Sequence, residues 1–223
     1  MKEMVTVMWP IQPIQQEKES FYSYICRISE LNHCDLKANY KLLGVRYRQN
    51  NPNPIYLDER DTIRFINLTV NSRVNDWLFL ERGSGNTDCF LFGQKFPRYL
   101  LSKKVKVCPL CMRDHNTFNS EWQFTHITTC IEHQCLLQDS CPSCNGLFSW
   151  SEELLHKCTV CHMQWKDICR YIEKFNKVEK LDVHKLLIYQ LNKNNKLEKE
   201  QYPVEVLKLR YIDLVHVLSF FLG

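Results

Sequence analysis

The middle of the sequence reads C-P-L-C at residues 108–111, C-I-E-H at 130–133, C-P-S-C at 141–144 and C-T-V-C at 158–161. In each of these four turns, two intervening residues separate a pair of Cys side chains or a Cys and a His. Both side chains of such a turn can reach a single ion, and tetrahedral zinc takes its other two ligands from a second turn. The stretch therefore predicts two structural zinc ions in a segment with few large aliphatic residues.

The spacing allows two pairings of the four turns. Sequential pairing is favoured because its loops resemble those of ordinary zinc ribbons, and crossed pairing of the first turn with the third has the same spacing. Either way the predicted ligands are Cys108, Cys111, Cys130, His133, Cys141, Cys144, Cys158 and Cys161. A disulfide framework is disfavoured because no signal peptide precedes the cysteines, and four successive turns argue against a thioredoxin-like role. The reserve ligands near these turns are Cys135, His126, His156 and His162.

The composition is that of an ordinary water-soluble protein. A charged fraction of 24% and a net charge of +4 over 223 residues do not by themselves identify a partner. The apolar stretch from Val204 to Leu222 contains charged residues, so we do not expect it to span a bilayer. Reduced thiols and the lack of a secretory signal favour the cytoplasm.

Apolar spacing in the amino-terminal part predicts a series of short helices. The first two are expected at Glu19–Asn32 and Asp35–Leu43, with Gly44 ending the second. Two more are expected from Asp58 onward and at Ser72–Glu81. The last two would form a helix-turn-helix, in which Arg73 and Asn75 are the candidates for reading DNA bases. The alternative is that small helices simply pack together and both side chains are solvated.

Two further features suggest contacts with other molecules. Residues 94–107 carry five basic side chains and no acidic one, which suits a phosphate backbone but is equally typical of a solvated linker. These candidates are Lys95, Arg98, Lys103, Lys104 and Lys106. Trp9, in an apolar arm over residues 1–18, is the candidate anchor for a protein partner, unless it packs onto the helical domain. Trp122 is expected to be a core aromatic residue of the first zinc site.

After the zinc turns, the sequence predicts helices at about 167–178, 182–192 and 204–222. The predicted fold class is mainly α with small zinc-ribbon β elements. We expect an amino-terminal arm and helix-turn-helix domain at residues 1–93, a tandem zinc-finger domain at 94–166 and a helical carboxyl-terminal region at 167–223.

The motif E-S-F-Y-S-Y-I-C-R-I-S at residues 19–29 resembles the start of the TniQ/TnsD family of transposon target-selection proteins. The segment from Phe96 to Phe148 is similar to the zinc core of that family, and the resemblance covers roughly residues 8 to 165. Two departures lie at turn positions, where the family usually has Gly and this chain has Lys18 and Gln134. Neither departure removes a ligand.

The resemblance implies a non-catalytic adaptor. Such proteins recognise a target, which is either a DNA attachment site or a CRISPR effector with its guide RNA, and recruit the AAA+ ATPase TnsC; several act as homodimers. The residues themselves agree that the chain is not an enzyme, because no phosphate loop, nucleophile elbow or nuclease-like acidic cluster is found. The alternatives are a stand-alone zinc and helix-turn-helix DNA-binding regulator and a zinc-stabilised protein-interaction module.

Overall fold

The computed structural model of the protein describes residues 9–47, 80–82, 89–174, 178–192 and 196–222. Most of the regular structure is helical and the strands are short and antiparallel, so the predicted mainly α class with small β elements is confirmed. The predicted helix from Asp58 and residues 72–79 of the next one lie outside the described residues. The chain forms two compact units, Met1–Lys95 with Thr117–Ser120 and Phe96–Asn116 with Glu121–Gly223. The predicted three-part division stays a prediction.

The first unit begins with the two helices that the sequence predicted. Helix α1 spans Phe21–Leu31, and the Ser20 hydroxyl caps it by accepting the backbone N–H of Ser23. Helix α2 spans Leu36–Leu42, and the Asp35 side chain caps it in the same way. Gly44 then has a φ of 76°, a conformation that glycine adopts without steric cost, and this ends α2 where the sequence indicated.

A small antiparallel sheet in the same unit was not predicted. Its order is β1 (Glu81–Arg82), β2 (Cys89–Leu91) and β3 (Gln94–Lys95). Glu81 pairs with Phe90, so the predicted helix does not extend to Glu81; the cross-strand hydrogen bonds fix an extended backbone there. Phe92 and Gly93 both have positive φ, which matches a two-residue hairpin turn between β2 and β3.

A distant segment completes this unit. Residues 117–120 lie beside the start of α1, where the N–H of Ser20 donates to the carbonyl of Phe118 at 2.6 Å. The N–H of Ser120 donates to the carbonyl of Lys18 at 2.8 Å. A short stretch from the middle of the sequence therefore supplies backbone partners to the amino-terminal helix.

The second unit contains the cysteine-rich turns. Helix α3 (Pro109–His115) starts at Cys108, and Pro109 stands at its first position, where its missing N–H costs no helical hydrogen bond. Strands β4 (Thr129–Cys130) and β5 (Cys135–Leu136) form a hairpin in which Cys130 lies opposite Cys135. After the fourth turn comes helix α4, Trp165–Ile168.

The carboxyl-terminal helices differ from the predicted ones. The prediction of one helix at 167–178 is wrong. A 3-10 turn at Cys169–Tyr171 follows α4, and Lys174 then pairs with Cys135 at the edge of β5. That pairing requires extended backbone. Helix α5 spans Val178–Leu191 and begins four residues before the predicted start at Asp182.

The helix predicted at 204–222 is two helices, α6 (Val204–Lys208) and α7 (Tyr211–Leu222). The Nε2 of Gln190, on α5, donates to the carbonyls of Val206 and Leu207 at 3.3 and 3.1 Å. The extended backbone of Leu209 ends α6, and Gln190 supplies a tertiary donor to carbonyls at this helix end. In the part of the chain that the structure describes, every helix is too short or too polar to cross a bilayer.

Candidate metal centres

The structure brings the eight predicted ligands together in two groups. Cys108, Cys111, Cys130 and His133 form the first cluster, and Cys141, Cys144, Cys158 and Cys161 form the second. Within each cluster, one ligand atom from every residue lies within 4.8 Å of the others. This is the sequential grouping of the turns rather than the crossed one.

The distances fit a tetrahedral ion. Two sulfurs that each lie about 2.3 Å from one zinc ion are separated by about 3.8 Å. The corresponding Sγ–Sγ distances are 3.5 Å between Cys111 and Cys130, 4.0 Å between Cys141 and Cys161, and 3.9 Å between Cys144 and Cys158. Both clusters could hold a metal ion, and their sulfur and imidazole donors are compatible with zinc.

Backbone N–H groups inside the turns point at the sulfurs. The N–H of Cys111 donates to the Sγ of Cys108 at 3.5 Å, and the N–H of His133 donates to the Sγ of Cys130 at 3.4 Å. In the second cluster the N–H of Val160 donates to the Sγ of Cys158 at 3.3 Å. These bonds favour the thiolate, which is the form that binds metals.

Glycine is required in the first turn of the second cluster. The carbonyl of Gly146 accepts the N–H of Cys141 at 2.8 Å, which closes the turn around the ligands. A Cβ at residue 146 would lie 2.7 Å from the Cγ2 of Val160, closer than packed carbon atoms approach. The turn therefore brings its backbone against the opposite turn only because residue 146 has no side chain.

Several of the clustered thiols have a raised pKa. The neighbouring thiols of Cys108 and Cys130, together with burial, raise the pKa of Cys111 far above its ordinary value. Burial raises the pKa of Cys141 to about 12, whereas the backbone N–H of Gly146 lowers that of the exposed Cys144. A bound cation would supply the positive charge that lets adjacent sulfurs ionise together.

The two clusters differ in exposure. Cys108, Cys111 and Cys130 of the first cluster are buried, whereas Cys144 and Cys161 of the second are exposed to solvent. In the first cluster, the Nδ1 of His133 faces the sulfurs and its Nε2 lies 3.1 Å from the Oδ2 of Asp114. Hydrogen bonds from Arg113 hold the pKa of the Asp114 carboxyl below its usual range. Sequence reasoning missed Asp114, because nothing in the ligand spacing identifies an outer partner.

The reserve ligands lie outside both clusters. The Sγ of Cys135 lies 3.5 Å from that of Cys108. His126 and His156 are half-buried, and His162 is exposed with its Nδ1 3.6 Å from a carboxylate oxygen of Glu153.

The sequence model of the TniQ family matches residues 10–137. The chain belongs to the TniQ family. TniQ proteins are non-catalytic adaptors associated with Tn7-like transposition, in agreement with the prediction that this chain is not an enzyme. The match contains the whole first cluster and ends before the second, so it is narrower than the predicted resemblance over residues 8 to 165. Comparison with proteins of curated function finds no match.

Within this TniQ chain, Lys106, one of the predicted nucleic-acid-binding residues, forms hydrogen bonds inside the protein. The Nζ of Lys106 donates to the carbonyls of Phe124 and Ile127 at 2.7 and 2.5 Å, and lies 3.4 Å from that of Thr125. Burial lowers its pKa to about 8. These internal hydrogen bonds use the donors of Lys106 and disfavour a phosphate contact, which stays a prediction.

The other basic candidates remain at the surface. In the second unit Arg98, Lys103 and Lys104 are exposed, and the Nζ of Lys104 lies 2.5 Å from the Oδ2 of Asp139. In the first unit Lys95 lies on β3 and is exposed. Arg73 and Asn75, the candidate base-reading residues, lie outside the described residues.

Trp9 packs onto the helical domain, which is the alternative to a role as anchor for a partner; that role stays a prediction. Only 5% of Trp9 is exposed, and its indole N–H donates to the Oδ1 of Asn39 at 2.7 Å. Asn39 in turn donates to the hydroxyl of Ser29, so this hydrogen-bond chain links Trp9 to α2 and α1. Burying an indole with its N–H satisfied is favourable, which explains why it packs inward. Trp122 is buried as well, as expected of a core aromatic residue.

Proposed function

We propose that this TniQ protein is a target-selection adaptor of a Tn7-like DNA transposition system. It links a target, either a DNA attachment site or a CRISPR effector with its guide RNA, to the AAA+ ATPase TnsC and so to the transposase. The family match over residues 10–137 carries this proposal, because that match covers more than half of the chain and includes a complete metal cluster. The adaptor acts in the bacterial cytoplasm, where its thiols stay reduced.

In this proposal each cluster holds one structural zinc ion. The first uses three cysteines and His133, and the second uses four cysteines. Closed four-ligand sites leave no position for a substrate, so the ions stabilise the fold and do not catalyse a reaction. Ion binding contributes on the order of 10 kcal/mol to folding of such a site. The segments that join the four turns are thereby held in one arrangement.

Exposed basic residues of the second unit contact nucleic acid in this proposal. Arg98, Lys103 and Lys104 precede the first cluster and form the basic segment of this unit. Each phosphate that such a side chain neutralises releases condensed counterions, so the contact weakens steeply with salt. Lys95 of the first unit, and Arg73 and Asn75 beyond the described residues, are further candidates.

The test of the adaptor function uses the full chain with TnsC encoded in the same transposon. We expect tagged protein to retain TnsC in the presence of ATP, with and without DNA. A chain that binds one DNA site specifically and has no affinity for TnsC would favour the stand-alone regulator instead. Light scattering on the same samples reports whether the chain is a homodimer.

Charge reversal tests the nucleic-acid contact separately. The variant Arg98→Glu, Lys103→Glu, Lys104→Glu should bind target DNA more weakly and with a smaller dependence on salt. The matched control reverses three exposed lysines elsewhere in the same unit, Lys166, Lys174 and Lys208. Equal losses in the two variants would show that net charge, rather than the basic segment, determines binding.

A further inference from the structure

The ring of His133 is held at both nitrogens. Its Nδ1 lies 3.1 Å from the Sγ of Cys111 and 3.7 Å from the Sγ atoms of Cys108 and Cys130. Its Nε2, on the opposite edge of the ring, lies 3.1 Å from the Oδ2 of Asp114. One nitrogen thus faces the three sulfurs of the first cluster and the other faces a carboxylate.

Asp114 is itself fixed in place. Arg113 contacts both of its oxygens, with Nε 2.6 Å from Oδ1 and Nη2 2.9 Å from Oδ2. A two-pronged contact of this kind sets the plane of a carboxylate as well as its position. Asp114 also lies on α3, the helix that starts at Cys108 and contains Cys111. The element that carries the first ligand turn therefore carries the partner of His133.

The carboxylate of Glu132, also near the cluster, contacts His115 rather than His133. The Oε1 of Glu132 lies 2.9 Å from the Nε2 of His115, and more than half of the Glu132 side chain is exposed. Its other oxygen lies 3.8 Å from the Sγ of Cys111, too far for a strong hydrogen bond. Among the described residues around His133, Asp114 is the carboxylate that contacts the ring.

We propose that Asp114 is a positioning residue of the first cluster, which accepts the Nε2–H of His133 and so presents Nδ1 to the metal. In neutral imidazole one nitrogen carries the proton and the other is free to bind a metal. An acceptor at Nε2 keeps the proton there, fixes the ring orientation and makes Nδ1 a better ligand. Loss of such an outer partner typically lowers metal affinity about 10- to 100-fold.

This inference rests on the proposed zinc occupancy of the first cluster, so the full chain is first loaded with zinc and its metal content is measured. A protein with two ions per chain satisfies that condition. A protein with no zinc in the first cluster refutes the proposed occupancy. The role of Asp114 is tested on zinc-loaded protein. The failures of the two proposals are thereby distinguished before any variant is made.

The variants Asp114→Ala and Asp114→Asn are then compared by competition with a chromogenic zinc chelator. Asp114→Ala should lower the affinity for one of the two ions about 10- to 100-fold. Asp114→Asn, which keeps an acceptor oxygen, should lose less. The matched control is Asp139→Asn, because Asp139 also forms an ion pair and its side chain has the same 34% exposure, but its partner is Lys104. An affinity of Asp114→Ala within about twofold of the parent would overturn the proposal.

The ring nitrogens of His133 provide a readout that a general loss of stability would not change. In the zinc-loaded parent, ¹⁵N NMR should show metal on Nδ1 and a slowly exchanging proton on Nε2. That proton should exchange rapidly in folded Asp114→Ala protein. Metal on Nε2 in the parent would refute the role of Asp114 even if the Ala variant failed to fold.

Discussion

The Sγ of Cys135 lies 3.5 Å from the Sγ of Cys108, although Cys135 is outside the first metal cluster. In the β4–β5 hairpin Cys135 is paired with Cys130, which belongs to that cluster. Directly opposed residues of an antiparallel pair project from the same face, so the hairpin places both thiols on the side of the metal cluster. Only the thiol of Cys130 lies close enough to the other three ligands to bind the same ion.

Replacing these two cysteines should have different effects. Cys135→Ala should keep two zinc ions per chain, because the first cluster is complete without it. Cys130→Ala should lose one ion, because it removes a ligand. Elemental analysis of protein purified under reducing conditions measures both. If Cys135→Ala lost an ion while Cys130→Ala kept it, the ligand assignment of the hairpin would be reversed.

The second cluster should release its ion first. Cys144 and Cys161 are exposed, so a chelator can attack their bonds to the metal, whereas the sulfurs of the first cluster are buried. We expect zinc transfer to a chromogenic chelator in two phases of one equivalent each. Iodoacetamide added during the fast phase should label Cys144 and Cys161 before Cys108 and Cys111, as read by peptide mass spectrometry. Simultaneous labelling of the two pairs would contradict this order.

Glycine at position 134 should stabilise the second unit. Gln134, in the β4–β5 turn, has a φ of 52°, a conformation that costs a residue with a Cβ roughly 1–2 kcal/mol. Part of the gain is offset because glycine is more flexible in the unfolded chain, so Gln134→Gly should raise the free energy of unfolding by about 0.5–1 kcal/mol. Thermal unfolding of the zinc-loaded protein measures it. The control Gln134→Ala should not raise the free energy of unfolding. Equal increases in the Gly and Ala variants would show that loss of the Gln side chain, rather than relief of backbone strain, causes the effect.

The buried carboxylate of Glu19 should be essential to the first unit. It lies 2.7 Å from the Nη1 of Arg27, accepts the Ser23 hydroxyl at 3.1 Å and accepts the N–H of Gln16 at 3.0 Å. Glu19→Ala leaves these groups without their partner, so we expect a loss of about 2–4 kcal/mol.

Hydrogen exchange of the amides in α1 should therefore become faster in Glu19→Ala, because the helix opens more often. The neighbouring exposed residue provides the control, and Glu17→Ala should exchange like the parent. Unchanged exchange in Glu19→Ala would show that α1 does not depend on this carboxylate.

Features that depend on neighbouring residues could be predicted from the sequence, whereas features that depend on contacts between distant residues could not. The ligand turns were found because two residues determine whether both side chains of a turn reach one ion, and α1 and α2 were found from apolar spacing and caps. The break between α6 and α7 was missed because no Gly or Pro marks it, and Gln190 from another helix contacts the carbonyls there. The internal hydrogen bonds of Lys106 and Trp9 could not be derived from local patterns for the same reason, since their acceptors lie far away in the sequence.

The return of residues 117–120 to the first unit limits how this protein can be divided for experiments. The polypeptide leaves that unit after Lys95, re-enters it at Thr117 and leaves it again after Ser120. A recombinant fragment ending at residue 95 would lack the carbonyl that Ser20 donates to, and its Lys18 carbonyl would lose both Ser120 donors. Truncation mutants should consequently be designed with the loop between Cys111 and Cys130 retained, or with a grafted copy of it.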